Sequence, residues 1–180
     1  MGRVTRAMPN TISPAQLENL QLSDRSKSFT LTRAGWIRSI SSGAACSSNV
    51  DDVFGCVLYA QIVDWKVMKF GTSSSFKTRM GDNADTINAI LRHQDGRDPN
   101  PKPWLLDLAS GKGDEFKKQA PEVIRSGQSI QVWAVTLFTP RTCQNVTGRK
   151  NSRCPACRAV ETDFNRQFCT IEHGWAMNES

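Results

Sequence analysis

The sequence predicts an α+β fold, in which a small antiparallel β-sheet is flanked by helices. Two apolar runs near residues 56–62 and 66–71 are separated by a tight turn at Asp64–Trp65, which is typical of a β-hairpin. A third strand, near residues 129–139, lies between segments whose apolar residues recur at helical spacing. The chain has 180 residues, of which 38% are hydrophobic and 22% charged, and this composition indicates a folded domain with a buried core.

Residues 1–50 are predicted to form an N-terminal arm that serves DNA binding or dimerisation. The stretch "SPAQLENLQL" predicts a short helix, with Ser13 as its N-cap and Pro14 at its first position. A strand is predicted at "SFTLT". The small polar residues of "SSGAACSSN" (41–49) favour a loop.

Residues 51–180 are predicted to form a second unit, which is built on the hairpin and carries an insert at about residues 95–128. One helix is predicted from "SSSFKTRM", capped by a serine, and another at "ADTINAILRHQ". Within the insert, "DGRDPNPKPW" predicts a loop and "DEFKKQAPEVIRS" a helix interrupted at Pro121. The last helix, "CPACRAVETDFNRQF", has Pro155 at its first position. The predicted order is β-β-α-α-insert-β-α.

The positive charge of the chain favours a polyanionic partner. The net charge is +6, and five basic residues without a single acid lie between Arg141 and Arg158. Nucleic acid is the simplest partner for such a stretch, although charge alone is explained as well by a solubilising surface. No segment approaches the roughly 20 apolar residues of a membrane span, and no secretory signal is recognisable. A cytoplasmic, DNA-associated protein is therefore expected.

Side-chain alternation in the hairpin predicts that Tyr59, the only tyrosine of the chain, shares a face with Lys69 and lies nearly opposite it. Gly71 ends the second strand on the same face and would leave open space beside Lys69. A phenol and an ammonium group beside open space on one face of the sheet indicate a catalytic site, whereas an isolated tyrosine would simply pack on the sheet. The other, core-facing side would be formed by Leu58, Ala60, Ile62, Met68 and Phe70.

The stretch "VLYAQI…VMKFGTSSSFKTRM" resembles the core of the GIY-YIG nuclease superfamily, over about residues 55–170. "VLY" (57–59) stands at the first signature tripeptide and "KFG" (69–71) at the second. Arg79 follows Gly71 by eight residues, as in the family pattern. Glu161 lies on a helix after the third strand and is the candidate for the metal-binding glutamate of the family.

Two positions depart from the family pattern. Lys69 replaces the first tyrosine of the second tripeptide, a change that resembles the restriction-endonuclease branch. Asn83 stands where the family often has a histidine, so a second base at this position is in doubt and Asn83 is instead a candidate DNA contact.

The resemblance implies roles for four side chains in phosphodiester hydrolysis. Tyr59, with Lys69, would take the proton of the attacking water. Arg79 would offer a planar charged group to the scissile phosphate. Glu161 would hold Mg²⁺ or Mn²⁺, which prefer oxygen ligands. The simpler explanations are an edge-strand charge for Lys69, a solvated helix residue for Arg79, and an ion pair with Arg158 for Glu161.

Further residues are candidates for binding DNA. Asn165 lies one helical turn after Glu161 and would orient the carboxylate or contact DNA. The basic loop that leads into this helix would grip phosphates through Arg149, Lys150 and Arg153.

The six cysteines are expected to be reduced thiols or metal ligands, since no secretory signal is present. Cys143, Cys154 and Cys157 bracket the basic loop, and "CPAC" is a common half of a zinc site. They are candidate ligands for a structural zinc ion whose fourth ligand is unidentified. Three reduced thiols packed near a helix start are the alternative.

Taken together, the residues and the resemblance predict a divalent-metal-dependent, site-specific endonuclease that acts on double-stranded DNA. Because one active site cuts one strand, cleavage of both strands at a palindrome implies a homodimer. The alternatives are a structure-selective or repair nuclease that nicks one strand, and a zinc-stabilised DNA-binding module without activity.

Overall fold

The computed structural model describes residues 11–41, 43–48, 56–113, 115–138, 155–168 and 170. The helices in these ranges are α1 (Pro14–Glu18), α2 (Phe76–Gln94), α3 (Pro103–Ala109), α4 (Glu115–Arg125) and α5 (Pro155–Gln167). The strands are β1 (Leu20–Gln21), β2 (Ser28–Phe29), β3 (Thr32–Ile40), β4 (Gly43–Ser48), β5 (Cys56–Val63), β6 (Lys66–Ser73) and β7 (Ile130–Phe138).

The predicted α+β fold is confirmed. Five strands form an antiparallel sheet in the order β4-β3-β7-β5-β6, and β1 pairs with β2 in a separate two-stranded sheet. Strand β5 lies between β6 and β7, and all of its side chains are buried. The helical prediction at Ser13 and Pro14 also holds, because Ser13 caps α1 in a reciprocal capping box with Gln16.

Strands β3 and β4 differ from the expectation that residues 1–50 form a separate arm. β3 pairs with β7 and thereby joins the sheet that contains the hairpin. The segment expected to be a loop at 41–49 contains β4, which pairs with β3 from Gly35↔Ser48 to Ile40↔Gly43. The backbone of β4 passes so close to Gly35 that a Cβ atom there would overlap the Ser47 carbonyl oxygen. Small residues thus allow close strand approach here, as well as favouring turns.

Helices cover the hairpin on both faces. Helix α5 and the segment around α1 and β2 pack on one face, called the α5 face. Helices α2 and α4 pack on the other, called the α2 face. Buried residues of the α5 face include Leu58, Ala60, Ile62, Val67, Phe70 and Phe164. Those of the α2 face include Val57, Tyr59, Val63, Met68, Phe76, Met80 and Ala84.

A β-bulge explains why Met68 lies on the α2 face and not on the predicted face. The turn is at Asp64–Trp65, as predicted, with φ of 51° and 58° at its two residues, as a two-residue hairpin loop requires. The pairing then shifts between Gln61 and Ile62, so that Met68 is an extra residue on β6. Such a residue reverses the alternation between the faces.

The helices differ from the prediction at two places, in α2 and before Pro103. The two helices expected at 73–94 are one continuous helix, α2, whose N-cap Ser75 makes no side-chain capping bond. The expected loop around residues 95–104 leads into α3, which begins at Pro103. Helix α4 continues through Pro121, and α5 begins at Pro155 as predicted. No helix in the described ranges is long and apolar enough to cross a membrane.

Both edge strands of the sheet are bonded by an asparagine side chain from a helix. Asn88 of α2 accepts from the Ala44 N–H and donates to its carbonyl oxygen, at 2.7 and 2.9 Å. Asn165 of α5 does the same for Phe70, at 2.8 and 3.0 Å. These amides satisfy main-chain groups that an edge strand would otherwise offer to another chain.

Asp163 joins α5 to the segment before β2. Its carboxylate accepts hydrogen bonds from the Ser23 hydroxyl and main-chain N–H and from the Gln167 amide. Partial burial raises the pKa of Asp163, but these hydrogen bonds together outweigh it and hold the pKa below its ordinary value.

Asp163→Asn is therefore expected to lower the unfolding temperature at neutral pH. A depressed pKa in the folded state stabilises the protein above the unfolded-state pKa of about 4, and this stabilisation is lost as the pH falls through the folded-state pKa. The difference between the two proteins should accordingly shrink as the pH is lowered from about 5. Thermal unfolding followed by circular dichroism at several pH values measures this. An equal difference at pH 7 and at the acid end would show that Asp163 stabilises by another route.

Candidate active site

Tyr59 and Gly71 are direct partners across β5 and β6. The phenol ring of Tyr59 lies over Gly71 so closely that a Cβ atom on Gly71 would overlap the ring carbon and hydroxyl oxygen. The expected open space above Gly71 is therefore filled by the phenol. Glycine is required here because any side chain would displace the Tyr59 hydroxyl.

The first turn of α2 covers the other side of the Tyr59 ring. The ring centroids of Tyr59 and Phe76 are 5.9 Å apart, and Met80 packs in the same cluster. Arg79 lies in this turn, next to Met80, and its side chain is exposed. The N-terminal end of a helix attracts anions through its free N–H groups and its dipole. The helix turn that packs on Tyr59, itself 2% exposed, thus carries an exposed arginine.

Lys69 shares the α2 face with Tyr59 but is displaced along the strands by two residue pairs. Its direct partner on β5 is Gln61, not Tyr59. The Lys69 ammonium nitrogen lies 4.8 Å from the centroid of the Phe116 ring of α4, a cation–π arrangement. Strand β6 is one of the two edge strands of the sheet, which is the position that the simpler explanation of Lys69 requires.

Glu161 approaches the same end of β6 from the α5 face. Its carboxylate accepts a hydrogen bond of 2.6 Å from the Thr72 hydroxyl. Thr72 pairs with Leu58, so its side chain points to the face opposite the Tyr59 ring. The phenol and the carboxylate therefore meet consecutive residues, Gly71 and Thr72, from opposite sides of one strand.

Asn165 is buried, whereas the predicted DNA contact requires an exposed side chain. The residue is 2% exposed, and its amide binds the main chain of Phe70 and the hydroxyl of Thr170. A buried amide whose polar atoms are already bonded has no group left for DNA, so the predicted DNA contact is corrected to a structural role. Asn165 fixes α5 to β6 and thereby sets the position of Glu161, one turn earlier.

Asn83 is half-buried on the side of α2 that faces the sheet, and its Nδ2 atom is buried without a hydrogen-bond partner. Because this atom is buried, DNA does not reach it in this conformation. The structure thus places Asn83 in the interface between α2 and the strands, below the surface predicted to contact DNA.

Cys157 is buried in the α5 face, where it forms a disulfide pair with Cys56 of β5. Cys56 and Cys157 thus differ from the expectation of reduced or metal-bound cysteines, whereas Cys46 is a free thiol, as expected. The zinc site stays a prediction. Both remaining ligands, Cys143 and Cys154, lie outside the described residues, as do the predicted DNA contacts Arg149, Lys150 and Arg153. Within the described ranges, no group of three or more His, Cys, Asp or Glu side chains could hold a metal ion.

Sequence reasoning missed two side chains at this site, Gln61 and Thr72. Gln61 is completely buried, and neither atom of its amide group has a hydrogen-bond partner. A glutamine in the otherwise apolar run "VLYAQIV" was the available signal. Thr72 became recognisable only through its bond to Glu161, which joins residues 89 positions apart.

The C-terminal end of α2, about 27 Å along the helix from its N-terminal residue, also carries a positively charged surface. A cavity of about 530 Å³ opens there, lined among others by Arg92, Arg97 and Arg125. Hydrogen bonding to Arg125 is the largest cause that holds the pKa of Asp95 below its ordinary value, and Arg97 contributes as well. Three guanidinium groups against one carboxylate leave this arginine cavity positively charged.

Comparison with known proteins found no matching family model and no curated protein of matching sequence. Among solved structures, the chain is similar to the restriction endonuclease HPY188I in complex with product DNA. The TM-score is 0.35 and the identity 10%, with 75% of this chain and 73% of that chain covered. A similarity at this level does not indicate activity, which has to be inferred from the residues of this chain.

Proposed function

We propose that the protein is a divalent-metal-dependent endonuclease that hydrolyses phosphodiester bonds in double-stranded DNA. The observation that carries the proposal is the convergence on Gly71 and Thr72. The Tyr59 phenol lies over the first residue, the Glu161 carboxylate binds the second, and α2 begins at Phe76, four residues later. A base, a carboxylate and a positively charged helix end are the groups that phosphodiester hydrolysis requires.

Each side chain has a distinct role in this proposal. Tyr59 acts as the general base: its phenolate oxygen accepts the proton of the attacking water and becomes the phenol, and the Lys69 ammonium group lies on the same face. Arg79 donates hydrogen bonds to the oxygens of the scissile phosphate, where its planar and permanently charged group stabilises the developing charge. The N–H groups at the start of α2 lie beside it and attract the same anion.

The oxygen atoms around Glu161 fit Mg²⁺ or Mn²⁺. A carboxylate and the hydroxyl of Thr72 are hard oxygen donors, and such ions usually bind one or two carboxylates together with substrate phosphate and water. When bound, the ion would stabilise charge on the leaving oxygen. Glu161 and Thr72 would hold it, while Asn165 keeps α5 fixed on β6.

We further propose that the enzyme belongs to the GIY-YIG superfamily and cuts at a specific sequence as a homodimer. This is supported by the order of the signature residues, with Tyr59 on β5, Gly71 on β6, Arg79 on α2 and Glu161 on α5. The test is incubation with supercoiled plasmid and Mg²⁺, followed by sequencing of the ends. Uniform double-strand ends support a site-specific enzyme, and nicked circles support the nicking nuclease. Intact plasmid with retained DNA binding supports the inactive module.

The basic loop is proposed to bind DNA beside the cut, because it leads directly into the helix that carries Glu161. Replacing Arg149, Lys150 and Arg153 by Ala is expected to weaken binding to all DNA sequences about equally, since phosphate contacts carry no sequence information. The slope of log K against log salt should decrease by about 0.9 for each phosphate group that the variant no longer binds. Fluorescence anisotropy at several salt concentrations measures both quantities.

The matched comparison is the replacement of Arg92, Arg97 and Arg125, which removes the same charge from the arginine cavity. An unchanged salt slope in the loop variant, together with a reduced slope in the cavity variant, would place the DNA at the far end of α2 instead.

A further inference from the structure

Gln61 has an unusual environment for an amide. It lies on β5 and is completely buried, yet its Oε1 and Nε2 atoms make no hydrogen bond with any residue that the structure describes. Burying polar atoms without partners destabilises the folded state, because their bonds to water are lost and not replaced. Native proteins contain few such groups, and each one calls for a specific explanation.

Two other amides between the sheet and a helix are paired with main-chain groups. Asn88 and Asn165 each accept from one main-chain N–H and donate to the carbonyl of the same residue. Gln61 contrasts with these two amides. Its two unbonded atoms indicate a partner that is present only in another state of the molecule.

The neighbours of Gln61 identify this partner. Lys69 is the direct cross-strand partner of Gln61, and side chains paired in this way lie within reach of each other. The Lys69 ammonium now lies over the Phe116 ring, which is a modest attraction. A hydrogen bond from an ammonium group to an amide carbonyl is a charge-assisted interaction.

A second amide on the α2 face has an unbonded atom. Met80 of α2 packs with Tyr59, and Ala84 packs in the cluster that contains Val63. Asn83 lies between these two helical positions, as Gln61 lies between Tyr59 and Val63 on β5. In the described part of the chain, Asn83 Nδ2 and both polar atoms of Gln61 are thus buried without a hydrogen-bond partner, on the two elements that pack together on the α2 face.

We propose that Gln61 is a positioning residue for Lys69. When DNA binds, the Lys69 ammonium leaves Phe116, donates to Gln61 Oε1 and is held beside the Tyr59 phenol, two residues along β5. This role rests on the proposed nuclease function, and it assigns to Gln61 no contact with the reacting atoms.

The first test compares stability with activity in Gln61→Met, which keeps the side-chain length and removes the amide. The unfolding temperature is expected to rise, because two unbonded polar atoms leave the core. The single-turnover cleavage rate is expected to fall at least tenfold, with little change in KM. Asn165→Leu is the matched control: it removes a buried amide that is bonded, so its unfolding temperature should fall.

The second test is a double-mutant cycle with Lys69→Met. If Gln61 acts through Lys69, Gln61→Met should have no further effect on the cleavage rate in the Lys69→Met background. Equal cleavage by Gln61→Met and the unaltered protein would overturn this inference alone, and so would additive effects in the cycle. A decreased unfolding temperature in Gln61→Met would show that a buried water bonds the amide in the resting protein, and would also overturn it. Absence of cleavage by the unaltered protein would overturn the proposed function itself.

Discussion

Glu161→Gln is expected to abolish DNA cleavage while the protein remains folded and continues to bind DNA. The substitution preserves side-chain size, and the new amide oxygen can still accept the hydrogen bond from Thr72. The substitution removes the negative charge, and with it the anionic ligand proposed for Mg²⁺ or Mn²⁺. The measurement is cleavage of a labelled duplex with excess enzyme, with DNA affinity determined in parallel.

The neighbouring acid on the same helix supplies the control. Asp163→Asn makes the same chemical change two residues further along α5, but Asp163 bonds Ser23 and Gln167 and not β6. Its cleavage rate should equal that of the unaltered protein at a temperature where both are folded. Near-normal cleavage by Glu161→Gln with Mg²⁺ would show that Glu161 does not bind the metal.

Tyr59→Phe is expected to lower the cleavage rate by about 10² or more, the scale expected when a general base is removed. Only the hydroxyl is removed, so the packing of the ring on Gly71, Phe76 and Met80 is retained. Stability and DNA affinity should therefore change little. Thermal unfolding and single-turnover kinetics measure the two effects separately. A cleavage rate within a few-fold of the unaltered protein would reduce Tyr59 to a packing residue of the α2 face.

The hairpin could be predicted from sequence because its determinants are local. Two apolar runs and a two-residue turn define the strands, and Asp64 and Trp65 form the turn that was expected. The position of Met68 could not be predicted, because the bulge between Gln61 and Ile62 changes the register by one residue. A single inserted residue of this kind leaves no local signal, yet it changes which face a side chain occupies.

Residues 32–48 form two strands of the sheet through contacts with residues that are distant in sequence. Strand β3 pairs with β7, about 100 residues later, and β4 is held in place by Asn88 of α2. Taken alone, a run such as "SSGAACSSN" has the composition of a loop, and only its partners make it a strand.

The candidate site was predictable only in part, for the same reason. Tyr59 and Gly71 are brought together by the hairpin itself, whereas Glu161 reaches β6 through the packing of α5 and its bond to Thr72. The amide of Gln61 is notable because it is buried without a hydrogen-bond partner among the described residues, and this can be recognised only in the structure.

The central claim is that Tyr59 and Glu161 serve one active site at the end of β6. Its most direct test is single-turnover cleavage of plasmid DNA with Mg²⁺ by the unaltered protein, Tyr59→Phe and Glu161→Gln, in parallel with DNA binding. We expect cleavage by the unaltered protein, a rate lowered by about 10² or more for Tyr59→Phe, none for Glu161→Gln, and equal DNA affinity for all three. Intact plasmid with the unaltered protein in both Mg²⁺ and Mn²⁺, or variants that cut as fast as it does, would contradict the claim.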